Sequence, residues 1–437
     1  MPVSPARAAA YDILLRVDQQ NAYASELLHS ERLNKLGVAD RSLATELVMG
    51  VLRWRSRLDE AIMLAAGRPL TKLDVEVLNA LRMGVYQIQF LDRVPARAAI
   101  NESVELVKRA KKRSAAPFAN AVLRKIVSSS ASLPEDLSVA DKFAHPPWLV
   151  ERWIRQFGED NARAICAFDQ QIPATTIRVD APEVEQELQG AGIQLAPGTL
   201  LASARVVVAG DVTATQAFRD GRVFIQDEAS QLVAALVGKG RRLLDCCAAP
   251  GGKTAALAAR NPAAEIIAAE LHPHRVELLR KRVRAVNVQV IQADALQLPF
   301  SEGFDRVLAD VPCSGTGTLA RNPEIKWRLK ASDLTDLHAK QAGILTAALE
   351  HLAPGGRAVY STCSLEREEN EAVVEDVLGS SPEFRLRDCR EELESLRESG
   401  ELVLSDVGSL LSGKYLRTMM PGVHPCDGFF TAIIERL

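Results

Sequence analysis

The 437-residue sequence predicts a multidomain protein: an all-α N-terminal domain, a small α+β module and a C-terminal α/β domain of the Rossmann-like, doubly wound kind. Three observations carry that prediction. Apolar residues recur at helical spacing through the first 130 positions. Short strand-like and helix-like pieces alternate from about 150 to 230, and a strand, turn, helix rhythm repeats from 241 onward. The expected divisions are 1–130, 131–230 and 231–437.

In the first piece the helical spacing is set by Leu43, Leu47 and Val51, and again by Val75, Leu78, Leu81 and Val85. The whole chain has 53 Lys+Arg against 56 Asp+Glu, a net charge of −3 that taken alone argues against a nucleic-acid partner. Resolved by region, residues 1–130 carry a net +7 and residues 131–437 a net −10. Lys108, Arg109, Lys111, Lys112 and Arg113 place five cations in six residues, ahead of Pro117 and the helix-like AFANAVLRKIV. Such a cluster is either a solvated helix end or a phosphate-binding patch.

With 47% apolar and 25% charged residues, the composition excludes a disordered chain. No apolar run approaches the roughly 18 residues of a spanning helix. Arg7, Asp12, Arg16 and Asp18 interrupt any leader-like stretch near the start, so a cytoplasmic protein is expected. The seven cysteines form no C-x-x-C pair. Reduced thiols follow, with neither a disulfide framework nor a metal site. His272 and His274 resemble a metal pair only superficially and are read as the start of a helix.

A serine-rich stretch at 128–132 with Pro134, and HPPW at 145–148, mark breaks in periodicity. Between them and residue 230, TTIRVD, ARVVVAG and GRVFIQD read as strands, and PEVEQELQGAG and EASQLVAALV as helices. From 241 the sequence runs RLLDCCAAP, GGKTAALAAR, EIIAAE, HPHRVELLRKRVRAVN, VQVIQAD, FDRVLADVPC, a helix near 333–352, RAVYSTCS and EREENEAVVEDVL. Strands that alternate with helices imply a parallel sheet, because parallel neighbours need crossovers. Ligands of such sheets bind at the carboxyl ends of the strands.

At the end of the first of these strands, Cys247, Ala248, Ala249, Pro250, Gly251, Gly252 and Lys253 form a turn whose two glycines let the backbone approach a ligand. A nucleotide-triphosphate loop would need Gly where Cys247 stands. Glu270 ends the second strand, 18 residues after Gly252, where a carboxylate accepts both hydrogen bonds of a ribose diol. Asp294 ends the third, placed for an adenine edge, and Asp310 ends the fourth. One acid at a strand end is usually a turn cap. Two at successive strand ends behind a glycine turn point to an adenosine pocket without phosphates, as S-adenosyl-L-methionine requires.

The fourth strand leads into DVPCSGTG (310–317) and the next into STCS (361–364), so adjacent strands bring Cys313 and Cys363 to one edge. Either alone reads as a small buried hydrophobe. With DVPCSGTGTLARNPEIKW, STCSLEREENE, the AAPGGKT turn and the terminal DGFFTAIIERL, residues from about 220 to 437 resemble the Nop2/Sun group of RNA cytosine-C5 methyltransferases. The basic helical N-terminal piece resembles the antitermination factor NusB. The combination is most similar to the RsmB (Fmu/Sun) family, whose C-terminal domain is a class I methyltransferase.

The resemblance implies transfer of a methyl group from S-adenosylmethionine to C5 of one cytosine in 16S rRNA, conventionally numbered 967, through a covalent cysteine–C6 adduct. It makes Cys363 the nucleophile and Cys313 the residue that assists product release. The Pro-Cys pattern of DNA cytosine methyltransferases would instead nominate Cys313. Asp310 is placed to donate to the ring if protonated, or to hold the exocyclic amine if ionised. Lys253 either caps its helix or orients Asp310; a cation in a first helical turn opposes the macrodipole.

Downstream, Arg321 to Arg328 mix cations with an exposed-looking Trp327. That mix suits a flipped base, or equally a surface loop packed on a core. The helix bearing Arg275, Arg280, Lys281, Arg282 and Arg284 is expected to turn Val276, Leu279, Val283 and Val286 inward. The expected partner is 16S rRNA, bound by a monomer without a membrane or a metal. Two other readings remain: a tRNA cytosine-C5 methyltransferase, and a non-catalytic RNA-binding antitermination or assembly factor.

Overall fold

The computed structural model describes residues 3–30, 33, 35–128, 137–301, 303–416 and 420–437. The serines at 129–132 and Pro134, expected at a boundary, lie outside the described residues. The chain divides into two compact units, residues 1–172 with 319–328, and residues 173–318 with 329–437.

In the first unit the described secondary structure is helical. Its longer helices are Pro5–Gln20, Val38–Arg53, Arg55–Ala66, Val75–Phe90, Ala96–Arg109, Ala116–Ser128, Pro147–Phe157 and Glu159–Asp169. Leu47, Val51, Leu81 and Val85, read from the spacing, are buried in one apolar core. Val38–Arg53 and Val75–Phe90 pack closely because position 50 is glycine. A Cβ there would lie 1.9 Å from the Tyr86 ring. In the basic cluster Arg109 pairs with Asp12 at 2.9 Å, Lys112 with Asp74 at 3.0 Å and Lys108 with Glu105 at 2.7 Å. Much of that charge is therefore balanced locally.

The inserted segment 319–328 fastens onto helix ends of this unit. A helix leaves its last carbonyls without intrahelical partners and carries a partial negative charge there. Trp327 Nε1 donates to Leu52 O at 2.6 Å and Lys326 Nζ to Arg53 O at 3.0 Å, both at the C-terminus of Val38–Arg53. Arg328 donates to Val17 O, Asn21 O and Ala22 O at the end of Pro5–Gln20. Glu324 Oε1 accepts from Ala24 N at 2.8 Å, and Arg53 Nη2 donates to Ala320 O at 2.9 Å. Trp327 is half-buried and bonded, which favours the packed surface loop of the two readings over base stacking. Lys326 is fully buried, and that burial pushes its pKa down to about 7.

The second unit holds two sheets. Strands β1 (Thr176–Arg178), β2 (Gln194–Pro197), β3 (Ala204–Ala209) and β4 (Phe224–Ile225) form a small antiparallel sheet in the order β2-β3-β1-β4. Helices Pro182–Gly190 and Glu228–Leu236 fall where the sequence places them.

The larger sheet contains β5 (Arg242–Asp245), β6 (Glu265–Glu270), β7 (Val288–Gln292), β8 (Phe304–Asp310), β9 (Leu352–Thr362), β10 (Phe384–Arg387), β11 (Leu411–Ser412), β12 (Tyr415–Leu416) and β13 (Phe430–Arg436). Its order is β11-β12-β13-β9-β8-β5-β6-β7, with β10 also on β13. Strands β5 to β9 are parallel to their neighbours in that set, as expected from the crossovers. Strand β13 is antiparallel to β9, so the sheet as a whole is mixed.

Chain direction across the sheet reverses at β5: β6 and β7 follow on one side, β8 and β9 on the other. The crevice at that switch point opens at the carboxyl ends of β5 and β8. The helix after β6 spans Pro273–Arg282 only, shorter than its apolar pattern suggests. Val276, Leu279 and Val283 are buried, whereas Val286 lies beyond the helix and is fully exposed. Three cations in the last turn favour that C-terminus.

Candidate active site

The turn after β5 is built by local chemistry. Gly251 has φ +109, a left-handed conformation that suits glycine, and starts the helix Gly252–Arg260. The Ala249–Pro250 peptide is cis. A Cβ on Gly251 would meet Val283 Cγ2 at 2.7 Å, so the turn is fitted against the helix that follows β6. Arg178 of β1 donates to Gly252 O at 2.9 Å and ties the small sheet to this turn.

Asp245 closes β5 and is buried, its Oδ2 accepting from Thr254 Oγ1 at 2.7 Å. Burial lifts its carboxyl to about 7, against the lowering effect of the Thr254 hydrogen bond. Its Oδ1 is a buried oxygen with no hydrogen-bond partner among the described residues. Asp245 is absent from the residues that sequence reasoning singles out, although an acid ending the apolar run RLLD is the signal that finds it.

Glu270 is buried at the end of β6 and its Oε1 accepts from His272 N at 2.9 Å. Asp294 is exposed, and its Oδ1 accepts from Leu296 N at 3.0 Å. Each acid thus spends one oxygen on the turn that follows its strand. Cys246 is buried, with its amide on Leu308 O at 2.9 Å, and Cys247 is half-buried with its thiol pKa raised by burial. The His272 and His274 rings stand 5.8 Å apart. Among the described residues, no group of three or more His, Cys, Asp or Glu could hold a metal ion.

At the ends of β8 and β9 the polar groups converge. Lys253 Nζ donates to Asp310 Oδ2 at 2.8 Å and lies 5.0 Å from the centre of the Phe429 ring. Cys313 Sγ and Cys363 Sγ are 3.1 Å apart, within sulfur hydrogen-bond distance. The pairing of Asp310 with Ser361 in the β8–β9 ladder sets that juxtaposition, because each cysteine follows its ladder residue by two or three positions. The Cys313 thiol is pushed well up by its contact with Cys363 and by burial, so it holds its proton. Ser314, Ser364 and Glu369 lie directly beneath, joined by hydrogen bonds.

Residues 235–435 match the family model described as 16S rRNA methyltransferase RsmB/F. Residues 4–128 match the NusB family, and residues 145–212 the ferredoxin-like domain of RsmF/B-like methyltransferases. The probable ribosomal RNA small subunit methyltransferase B of Bacillus subtilis (strain 168) is 34% identical over 404 residues, covering 88% of this chain and 90% of the relative. The chain belongs to the RsmB/F family.

A second RsmB/F relative, the ribosomal RNA small subunit methyltransferase B of Vibrio cholerae, is 31% identical and covers 98% of this chain and 97% of its own length. The crystal structure of NSun6 from Pyrococcus horikoshii with SFG has a TM-score of 0.56 at 20% identity, covering 67% of this chain and 98% of that one. That last likeness is one of fold. The protein is an S-adenosylmethionine-dependent rRNA methyltransferase of the RsmB/Sun type, with a NusB-like helical domain and a ferredoxin-like module. Among the described residues, no helix is long and apolar enough to cross a membrane.

The donor set fits the cofactor. The carboxylates of Glu270 at the end of β6 and Asp294 just after β7, with the buried Asp245 Oδ1, offer acceptors for a ribose and an adenine amine.

Proposed function

We propose that this enzyme methylates C5 of a cytosine in 16S rRNA, the one conventionally numbered 967, through a covalent bond between Cys363 and C6 of the base. The observation that carries this reading is the 3.1 Å contact of Cys313 and Cys363 beside the Lys253–Asp310 pair. S-adenosylmethionine supplies the methyl group as a sulfonium electrophile. The turn Cys247–Lys253, with Glu270, Asp294 and Asp310, would hold it.

Cytosine C5 is a weak nucleophile. Addition of the Cys363 thiolate to C6 turns the ring into an enamine that attacks through C5. Negative charge then builds at N3 and O2 of the ring. Asp310, fixed by Lys253 through one oxygen, turns its other oxygen toward the amino edge of the base and orients it. After methylation a base takes the C5 proton, the C5–H electron pair restores the C5–C6 double bond, and Cys363 departs from C6 as a thiolate. Cys313 keeps its proton at the Cys363 contact and assists that release by donating an S–H hydrogen bond to the departing thiolate.

In this reading residues 1–130 bind rRNA, residues 131–230 link and position it, and residues 231–437 carry out the transfer. The enzyme acts as a monomer in the cytoplasm. Tritium release from rRNA labelled at cytosine C5 tests the chemistry. Release that depends on S-adenosylmethionine is expected, and methylated product without release would overturn C5 as the target.

A further inference from the structure

Glu369 is buried without exposure in the short turn Arg367–Glu369 that follows β9. Its Oε1 accepts from the Ser314 backbone N–H at 2.7 Å and from Gln341 Nε2 at 2.9 Å. Its Oε2 accepts from Ser364 Oγ at 2.5 Å and from the Ser314 hydroxyl. Ser314 follows Cys313 in the chain, and Ser364 follows Cys363. The two hydroxyls also meet each other at 3.0 Å. Gln341 holds the other side of the Cys313 loop, donating to Pro312 O at 2.9 Å.

An ionised carboxylate taken out of water costs several kcal/mol unless donors satisfy it. Here four donors do so, three of them on residues adjacent to the two cysteines. An apolar side chain would fill the same volume but would leave Ser314 and Ser364 without a shared acceptor, the two loops then being joined by Gly317 N–H to Cys363 O and Leu365 N–H to Thr316 Oγ1, each at 2.9 Å. We propose that Glu369 is a positioning residue that clamps the Cys313 loop to the Cys363 loop and so sets the separation of the two thiols. Its importance for methyl transfer rests on the two-thiol reading above; the clamp itself does not.

The glutamine variant is a conservative one. In Glu369→Gln the amide oxygen replaces Oε1 and still accepts from the two N–H groups. The amide NH2 replaces Oε2 and donates to the Ser314 and Ser364 hydroxyls, which rotate to accept. Glu369→Ala removes the shared acceptor altogether.

The test uses the full-length protein and two readouts. The first is the rate at which diamide drives an intramolecular Cys313–Cys363 disulfide, detected by mass spectrometry. The two thiols lose two protons and two electrons, and diamide is reduced to the hydrazine. The second is single-turnover methyl transfer, with the S-adenosylmethionine Kd measured alongside.

Glu369→Ala is expected to slow disulfide formation about tenfold and methyl transfer about 100-fold, with the Kd within about threefold, because a displacement near 1 Å costs that much in rate. Glu369→Gln should keep both rates within about threefold of wild type. Disulfide formation at the wild-type rate in Glu369→Ala overturns the clamp. So does equal loss in the Ala and Gln variants. Should Glu369→Ala fail to fold, the Ser314→Ala/Ser364→Ala double variant removes two of the four donors. Slower cross-linking in it supports the clamp, and the wild-type rate overturns it. If wild-type enzyme releases no C5 tritium, the function reading fails while the disulfide arm still decides the clamp.

Discussion

Residues 310–318 and 319–328 run on without a break, and both are rich in polar side chains, yet they use them for different ends. In the first stretch Asp310, Cys313 and Ser314 gather with Lys253, Cys363 and Glu369 at the carboxyl edge of the large sheet. In the second, Glu324, Lys326, Trp327 and Arg328 satisfy backbone groups at helix ends of the N-terminal unit. A cation, an aromatic and an acid near a catalytic motif suggest nucleic-acid contact in both. Only the partner atoms separate reactive groups from caps.

The difference can be broken by substitution. Lys253→Met removes the ion pair that orients Asp310 and should lower single-turnover methyl transfer by about 100-fold or more, with little change in thermal stability. An equal rate would place Asp310 outside the chemistry. Arg328→Ala should do the reverse. Three carbonyls lose their donor, costing about 1–3 kcal/mol in denaturant unfolding, while transfer per folded molecule stays within about threefold. A large loss of rate at unchanged stability would move this segment into the catalytic machinery.

Lys326 sharpens the same comparison through pH. Its pKa falls from 10.5 to about 7 on folding, chiefly through burial. Between those values the unfolded chain binds the extra proton, so wild-type stability rises with pH across that window. Lys326→Met should lack this rise, leaving the wild type to gain on the variant from about pH 7 toward 10. Unfolding curves at several pH values measure it, and parallel pH profiles would contradict the buried, depressed lysine.

Much of this architecture is legible locally. EIIAAE and FDRVLAD are strands because short apolar runs end at acids and turns, and the helical repeat at Leu47 and Val51 marks a core face. The placement of Cys313 and Cys363 on neighbouring strand ends also follows from that rhythm. What escapes depends on distant partners. Glu369 lies within STCSLEREENE and reads as part of a helix start; Ser314, 55 residues earlier, gives it a role. Trp327 reads as exposed because Leu52 is 275 residues away. Val286 reads as an inner residue because an apolar period continues past Arg282, where the helix stops. Spacing reports the face of an element and says nothing of which remote backbone atom waits there.

The central claim is that two adjacent thiols divide the chemistry, with Cys363 forming the bond to RNA and Cys313 helping to break it. Denaturing gel electrophoresis of Cys313→Ala and Cys363→Ala, each incubated with rRNA and S-adenosylmethionine, tests it most directly. Cys313→Ala should accumulate a covalent protein–RNA band, and Cys363→Ala should show neither band nor methylation. A band in Cys363→Ala and none in Cys313→Ala would contradict the account.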